Sequence, residues 1–449
     1  FERMARQFIQ TSEDPNEKKR IETGNTMAEH TLFTAFKRLK GNARGCVLTE
    51  PIWGIPYNLY APYVSVYMLA LGLVDEQIGL IATIAQVLQV FMALFSGVIT
   101  DKLGRRRTTW LFDVMSWSVP ALISAVAQNF WYFLIAAVIN SVWRIVHNSW
   151  YCLLVEDTDP EQLVDIWTFI YIAGQLVAFF SPIASLFIKR YDLVPTMRVL
   201  YIFAAVMFFI KATATYFLTE ETEQGKVRME QTKHQSMFKV FVEMKDVARE
   251  LLRTPRTLIT AGIMTITSIT MLVNGSFWSI LLTKKLLIPA ENLAGFQVAR
   301  SVFMILMYFF VLPRLRHLSF KWPMAFGFVG LMISQALLVF APVQGYFVLV
   351  ISLLLEAGCF AMIGPLIEQM QVLTVDAKER ARIQSLIYVG VILLTSPFGY
   401  IGGLLSAQNR AYPFVLTMVL YGVGIVLVGL AANAAKKHSE LEPVSIPAE

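Results

Sequence analysis

Apolar blocks, each long enough to cross a membrane as a helix, alternate with short polar turns along most of the 449-residue chain. A helix needs roughly 20 apolar residues to cross a hydrocarbon core of about 30 Å. The pattern therefore predicts twelve transmembrane helices. We place them near residues 48–72, 77–100, 108–128, 131–155, 163–188 and 195–218, and near 257–283, 292–313, 321–341, 345–370, 381–405 and 411–434.

A charged stretch divides these blocks into two sets of six. Residues 219–256 contain eight Lys or Arg and seven Asp or Glu, and no apolar run long enough to span. Ser181 and Pro182 in the fifth block match Ser396 and Pro397 in the eleventh, which indicates two pseudo-symmetric halves. We therefore expect an N-terminal cytoplasmic segment (1–46), a first six-helix bundle (47–218), a cytoplasmic linker (219–256), a second six-helix bundle (257–434) and a C-terminal cytoplasmic tail (435–449).

The composition also indicates a membrane protein, because only 16% of the residues are charged and the mean hydropathy is +0.56. A soluble domain carries about a quarter charged residues. The net charge of +6 comes mostly from Lys and Arg between apolar blocks, so we interpret it as a signal of orientation and not of nucleic-acid binding. It places both termini in the cytoplasm, and we expect the plasma membrane. The three cysteines lack metal-ligand spacing, so we expect neither a metal nor a cofactor.

The loop after the second block reads GVITDKLGRRR, residues 97–107. Three consecutive arginines at a helix end are explained by the excess of positive charge on the cytoplasmic side of membrane proteins. That excess does not explain why Gly97, Asp101 and Gly104 stand at these offsets. The loop therefore indicates more than a cytoplasmic anchor.

This loop resembles the signature of the major facilitator superfamily, which lies between the second and third helices. Its fixed positions are matched by Gly97, Asp101, Lys102, Gly104, Arg105 and Arg106. The resemblance implies an all-α integral membrane protein with the major facilitator fold, in which two six-helix bundles enclose a central path. We expect it to act as a monomer in the lipid bilayer.

The resemblance also implies a role for the loop. Asp101 and Arg105 would form a conformational latch near residues 381–384, because a carboxylate is favoured at the N-terminus of a helix. The counterpart in the second half, residues 312–322, keeps the positive charge and lacks the Gly and the Asp. We therefore expect the main gating network in the first half.

The fourth block carries a polar stripe formed by Asn140, Arg144 and His147. An ionisable residue at this depth costs roughly 2.5–3.5 kcal/mol on insertion scales, so it needs a partner or a wet cavity. Glu356 lies at nearly the same depth in the tenth block. Because the fourth and tenth helices line the central path in the resembling family, we expect Arg144 and Glu356 to face each other. An arginine packed against carbonyls and a static ion pair between the halves are the alternatives.

Arg144 also resembles the embedded arginine of proton-coupled exporters in that family. His147 and Asn148 stand where their motif has Gln and Gly, so the match is incomplete. We expect coupling to protons, with Glu356 as the carboxylate that loads and releases the proton.

Two further faces are candidates for contact with substrate. One face of the first block combines a carboxylate with aromatic rings, and one face of the seventh carries an amide and an indole. They comprise Glu50, Trp53, Tyr57, Tyr60 and Tyr67 in the first block, and Asn274 and Trp278 with two threonines in the seventh. Ordinary packing of aromatic helices explains the first stripe equally well.

Three other charges in or beside the blocks have simpler explanations. Lys211 and Arg300 lie about two turns from the ends of their blocks, so we expect both side chains to reach the headgroups. Asp113 lies near a cytoplasmic helix end, where solvation or a gating salt bridge would accommodate its charge.

These observations favour a secondary active transporter that moves a small molecule by alternating access, coupled to protons and acting as an exporter. A phosphate-binding loop of the ATPase type is missing from the sequence. An uptake symporter or facilitator for a polar metabolite such as a sugar is the alternative, and a sensor with the transporter fold is a second one. An intramembrane enzyme is disfavoured because His147 has no Cys, Asp or Glu at ligand spacing on its face.

Overall fold

The computed structural model describes residues 39–158, 162–232, 255–311, 321–373 and 380–441, and every regular element in these ranges is helical. Nine helical stretches of this part are long and apolar enough to cross a membrane. They correspond to all but the first, third and eighth predicted spans: Asp75–Leu103, Phe130–Val155, Ile166–Tyr191, Leu193–Leu218, Thr257–Lys285, Lys321–Val339, Tyr346–Gly364, Ile387–Gln408 and Tyr412–Ala431. The predicted all-α fold is confirmed.

Several of these helices run beyond the apolar part. The seventh span is the helix Pro255–Ile280 followed by a π-helical turn, the tenth is Tyr346–Leu373 and the twelfth is Tyr412–Leu441. The fourth span bends between Phe130–Asn140 and Trp143–Val155.

The first, third and eighth predicted spans are helical but interrupted. The first consists of Gly41–Tyr60 and Val64–Ala70 around a 3-10 turn, the third of Arg105–Asp113 and Val119–Ala125 around the π-helical turn Val114–Ser118, and the eighth of Leu293–Leu306 with the π-helical turn Met307–Val311. Pro62 lies in the turn of the first span, and proline has no backbone N–H with which to continue a regular helix. The count of twelve crossings stays a prediction.

The fifth and eleventh spans break at corresponding points. The fifth consists of Leu163–Val177 and Ser181–Tyr191, and the eleventh of Arg380–Thr395 and Pro397–Gln408. Pro182 and Pro397 lie in the first turn of each second helix, where the missing N–H costs no hydrogen bond. The matching Ser-Pro pairs of the two halves therefore mark matching helix breaks.

The ends of the helices define two sides of the molecule. The linker side holds the start of the first span, the ends of the second, fourth and sixth spans, and the linker helix Glu223–Thr232. Asn42 ties these ends together, because its Oδ1 accepts from the Glu220 backbone N–H at 2.7 Å and its Nδ2 lies 3.5 Å from Asp157 Oδ2. We call the opposite side the far side. The sequence predicts that the linker side faces the cytoplasm.

Three apolar cores show where the halves meet. The largest contains buried residues of both halves near the far side, among them Tyr63 and Ile78 of the first half and Phe277 and Phe414 of the second. The other two lie toward the linker side, each within one half: Leu39, Cys46, Leu153 and Ile166 in the first, and Ile263, Phe328, Ile387 and Val428 in the second. The buried core is therefore continuous between the halves toward the far side.

The second and eleventh spans carry much of this contact. The Asp75 carboxylate is 4% exposed and accepts from Ser406 Oγ at 2.6 Å. Thr83 donates its hydroxyl to the carbonyl of Ser396 at 2.7 Å. Further bonds join the halves on this side, among them those from Ser181 Oγ to Ala294 O at 3.4 Å and from Ser279 Oγ to Pro62 O at 2.7 Å. The structure is closed at the far side.

Glycines allow the second and eleventh helices to touch. A Cβ added to Gly403 would lie 2.8 Å from Asp75 O and 3.0 Å from Glu76 Cα. We expect Gly403→Val to force the helices apart at a cost of about 1–3 kcal/mol and to favour states that are open at the far side. Pulsed EPR between spin labels at Gln128 and Val343, which lie in far-side turns of different halves, should show longer distances.

The matched control is Gly429→Val in the twelfth span, where an added Cβ meets nothing within 4 Å. It should leave the distance distribution as in the parent protein. An unchanged distribution in Gly403→Val would contradict the assignment of this helix crossing as the far-side closure.

Candidate functional site

Glu356 lies in the middle of the tenth span and is 4% exposed. Asn274 of the seventh span donates its Nδ2 hydrogen to Glu356 Oε1 at 2.6 Å. Arg300 of the eighth span interacts with the same carboxylate electrostatically. Within the described residues Asn274 Oδ1 is buried and has no hydrogen-bond partner. The second half thus holds a carboxylate at mid-depth with one amide donor and one cation near it.

The fourth span presents Arg144 toward the second span of its own half and toward Tyr388 of the eleventh span. Its Nε donates to Gln89 Oε1 of the second span at 3.3 Å, and its guanidinium carbon lies 4.2 Å from the Trp143 ring centroid. His147 is exposed, and its ring stands edge-on to Trp143 at 5.8 Å. Asn140 donates its Nδ2 hydrogen to Ser116 O at 2.6 Å. The polar stripe therefore divides into Asn140, which joins the fourth span to the third, and the Arg144–His147 pair.

Arg144 and Glu356 do not pair in this state. Among the described residues no salt bridge joins them: Arg144 donates to Gln89 and interacts electrostatically with Tyr388 of the eleventh span, whereas Glu356 accepts from Asn274. A static ion pair between these two side chains is therefore not what holds the halves together. Trp278 of the seventh span packs edge-on against Phe296 at 6.0 Å and is partly buried.

The aromatic stripe of the first span divides into residues that line a cavity and residues that are buried in the core. Glu50, Trp53 and Tyr57 line a cavity of about 220 Å³ between the first and fifth spans. Tyr60 is 8% exposed and packs against Tyr201 of the sixth span at 4.7 Å, while Tyr67 is fully buried. The structure thus places Tyr60 in the core and not on the cavity wall. The break in this span at Pro62 separates the part that holds Glu50 from the part that holds Tyr67.

A buried ion pair lies below this cavity, toward the linker side. Lys211 Nζ of the sixth span lies 2.7 Å from Asp113 Oδ2 of the third, and the two side chains are only 6% and 3% exposed. The expectation that Lys211 reaches the headgroups was therefore wrong, and of the two alternatives for Asp113, a salt bridge and solvation, the structure shows a salt bridge. The reason is helix rotation: Lys211 lies on the buried face of its helix, which also holds Ala204, Phe208 and Thr215. The small residues on that face were the signal in the sequence.

The pair joins three helices of the first half. Glu50 of the first span interacts electrostatically with both Lys211 and Asp113. Thr49 and Thr215 share a hydrogen bond of 2.8 Å next to it, which ties the first span to the sixth. Separating the charges of such a buried pair leaves an uncompensated ion, so the pair fixes the relative rotation of these helices.

The loop after the second span is built around Gly104. This residue has φ +84°, in the region that favours glycine, and an added Cβ would lie 2.6 Å from Glu221 Oε2. The Glu221 carboxylate accepts from the backbone N–H groups of Arg105 at 2.7 Å and Arg106 at 3.1 Å. A carboxylate from the start of the linker therefore caps the N-terminus of the third span, where negative charge is favoured.

The side chains of the loop extend this network. The Arg105 guanidinium is 5% exposed and contacts Glu156 Oε2 at 3.1 Å and Asp101 Oδ1 at 2.9 Å. The Arg106 Nε donates to Tyr216 O at 2.7 Å, and Thr222 donates its hydroxyl to Glu156. The loop after the second span is thus held to the end of the fourth span and to the start of the linker.

Glu156 and Glu221 were not identified in the sequence. Glu156 belongs to an acidic stretch that runs against the positive charge of the other turns on this side, and this exception was the available signal. Gly97 is exposed, and an added Cβ there meets nothing within 4 Å. The side chains of residues 381–384, the expected partners of the latch, lie outside the described set, as do residues 312–320.

Comparisons with known proteins agree with this architecture. A model of the Major Facilitator Superfamily matches residues 53–315, which is more than half of the chain. No curated protein matches the sequence. The fold is similar to that of the nucleoside transporter NupG, with a TM-score of 0.66 at 14% identity, over 88% of this chain and 99% of that one.

Two other solved structures are similar at low identity. The human organic anion transporter TETRAN gives a TM-score of 0.60 at 13% identity, over 86% of this chain and 98% of its own. A bacterial homologue of the human lysosomal transporter Spinster, in an inward-facing and unoccupied conformation, gives 0.66 at 12%, over 87% and 96%. Likeness at this identity shows the fold, and it confirms the predicted fold class.

We expect Lys211→Met to leave Asp113 buried without its cation and to cost about 3–5 kcal/mol of unfolding free energy. The measurement is the thermal unfolding midpoint of the purified protein in detergent. Combining it with Asp113→Asn removes both charges and should recover most of the loss. Equal losses in the single and the double variant would show that the ion pair does not hold these helices.

Proposed function

The chain belongs to the Major Facilitator Superfamily, a family of membrane transporters, and from this we propose that it is a proton-coupled secondary transporter that exports a small organic solute. The observation that carries the coupling is Glu356, a carboxylate at mid-depth in the second half with Asn274 and Arg300 beside it.

Alternating access explains why the contacts between the halves that the described residues make gather on one side. The continuous apolar core and the bonds of Asp75 and Thr83 close the far side. Toward the linker side the two halves have separate buried cores. We therefore assign this structure to the state that exchanges solute with the linker side, which we take to be cytoplasmic. Rocking the halves would open the far-side crossing and close the linker side.

The gating loop acts within this cycle. Asp101 and Glu156 each form a salt bridge with Arg105 in the first half, and Glu221 caps the adjoining helix. In the opposite state Asp101 would turn to the start of the eleventh span, residues 381–384, as the resemblance implies. The loop therefore sets the relative stability of the two states and does not touch solute.

Glu356 supports coupling through its surroundings. Burial away from water disfavours the charged carboxylate, whereas a nearby guanidinium and an amide donor favour it. A change in water access between the two states alters this balance, so the carboxylate binds a proton in one state and releases it in the other. Arg144 and His147 of the fourth span are further charged and titratable groups, contributed by the first half.

We expect Glu356→Gln to uncouple transport from protons. Proteoliposomes with pyranine inside would receive panels of amines, nucleosides, sugars and peptides, and the luminal pH would be followed after each addition. The parent protein should move protons with at least one class of solute. The variant should lose that proton flux while retaining exchange of labelled solute across the membrane.

The same assay decides direction and mechanism. Solute that leaves against its gradient as protons enter supports export, and solute that enters together with protons supports the uptake alternative. A Glu356→Gln variant with an unchanged proton flux would assign coupling to another residue. Absence of solute movement from every panel would favour a sensor with the transporter fold.

We expect Glu156→Gln to weaken the contact with Arg105 and to slow solute exchange by about tenfold. A tenfold change in rate corresponds to a change of roughly 1.4 kcal/mol in the free energy of one conformational state. The affinity for solute should be retained, because Glu156 lies at the linker-side end of the fourth span and does not line the cavity between the first and fifth spans. Transport rates in proteoliposomes and equilibrium binding in detergent separate the two quantities.

Glu223→Gln is the matched control for this change. Its side chain is 81% exposed at the start of the linker helix, and its ion pair with Lys226 is on the surface. Exposed pairs contribute little, so both rate and affinity should be unchanged. If Glu156→Gln exchanges solute as fast as Glu223→Gln, the Glu156 carboxylate has no gating role.

A further inference from the structure

The cavity between the first and fifth spans has features that the proposed proton pathway does not use. It measures about 220 Å³. Glu50, Trp53 and Tyr57 stand on one face of the first span at spacings of three and four residues. The opposite wall comes from the fifth span, where Gly174 leaves the space and Val177 packs against the first span.

Glu50 is the charged group of this cavity. Among the described residues nothing donates a hydrogen bond to its carboxylate or forms a salt bridge with it. The other carboxylates at depth are different, since Glu356 accepts from Asn274 and Asp113 binds Lys211. A carboxylate away from bulk water needs a counter-charge or a proton. In this arrangement the counter-charge or the proton for Glu50 has to come from the cavity.

The neighbouring charges leave a net negative charge beside the cavity. Lys211 from the sixth span and Asp113 from the third balance each other at 2.7 Å. Glu50, which interacts with both, adds one unbalanced negative charge when ionised. The described wall of the fifth span brings only Ala173, Gly174 and Val177.

The other cations of this half act elsewhere. Arg144 of the fourth span donates to Gln89 and lies over the Trp143 ring, and His147 interacts with that arginine. The charges that act on Glu50 are Lys211 and Asp113. The three charges therefore sum to minus one, which one monovalent cation would neutralise.

The rest of the wall fits an organic cation. Trp53 and Tyr57 stack at 4.8 Å, and Trp117 of the third span stands edge-on behind both. Aromatic rings bind apolar groups and are attractive to cations. Asn58 donates its Nδ2 hydrogen to Gly54 O at 2.9 Å, which leaves its Oδ1 as a second acceptor at the cavity.

We propose that this cavity binds the ammonium group and adjoining apolar part of a monovalent organic cation, with the Glu50 carboxylate as counter-ion. The inference rests on the proposed function, because it names the class of solute that the transporter carries. The ammonium and a proton compete for the Glu50 carboxylate, because either one removes its unbalanced negative charge. Binding should therefore weaken as the pH falls.

The test uses the full chain, purified in detergent, with phenethylammonium as the probe. 2-Phenylethanol and phenylacetate are the neutral and anionic probes of similar shape. Isothermal titration should detect binding of phenethylammonium, weaker at lower pH, and at least tenfold weaker binding of the other two. Glu50→Gln should reduce the affinity for the cation at least tenfold and remove its pH dependence.

Glu223→Gln is the matched charge control and should bind like the parent protein. Equal affinity for the three probes, or equal affinity of Glu50→Gln and the parent for phenethylammonium, would overturn the proposal. Thermal unfolding midpoints of the variants show whether each is folded.

A second variant tests the cavity without changing its charge. An added Cβ at Gly174 meets nothing within 4 Å, so Gly174→Val fits the fold and fills the cavity. It should weaken phenethylammonium binding at least tenfold, while Gly429→Val in the twelfth span should not. Unchanged binding in Gly174→Val would place the cation outside this cavity and overturn the proposal.

Failure of this inference is distinguishable from failure of the proposed function. If binding of phenethylammonium depends on Glu50 but the probe is not moved in proteoliposomes, the cation site is supported and transport of organic cations is not. Proton-coupled transport of another solute that is unaffected by Glu50→Gln would retain the proposed function and overturn the cation site.

Discussion

The cost of placing charge in hydrocarbon governs this protein more than any other constraint. Each ionised side chain between the membrane faces needs a counter-charge, a set of hydrogen bonds or a route to water. Lys211 and Asp113 neutralise each other and lock the third and sixth spans. Glu356 takes an amide and a nearby guanidinium. Among the described residues Glu50 accepts no hydrogen bond and forms no salt bridge, and it lines a cavity.

Charged side chains within the spans therefore have one of two roles, structural or functional. A pair that is satisfied within one half, such as Lys211–Asp113, moves as part of that half and stabilises it through the cycle. A carboxylate at a cavity changes its surroundings when the halves rock, so its energy differs between the states. Glu50, for the proposed cation, lines such a cavity in the first half, and Glu356, for the proposed proton, is buried in the second half. A single movement therefore acts on both.

Much of the fold could be predicted from the sequence, because hydropathy and helix length are local properties. The GVITDKLGRRR loop indicated the family, and the Ser-Pro pairs indicated the repeat. Partners could not be predicted in the same way. Lys211 was expected at the headgroups because depth can be counted along a helix, whereas rotation about its axis depends on neighbouring helices. Glu156 and Glu221 were missed because the contacts of Arg105 join segments far apart in sequence.

The unequal packing of the two sides has a consequence for the empty protein. Opening the far side would expose shared apolar core to water and break the bond between Asp75 and Ser406. Toward the linker side, closure must bring together surfaces that already have separate cores. In the described structure the far side is therefore the closed one. In the proposed cycle, a solute that enters from the linker side can open the far side only if it binds the far-side-open state more tightly than this one.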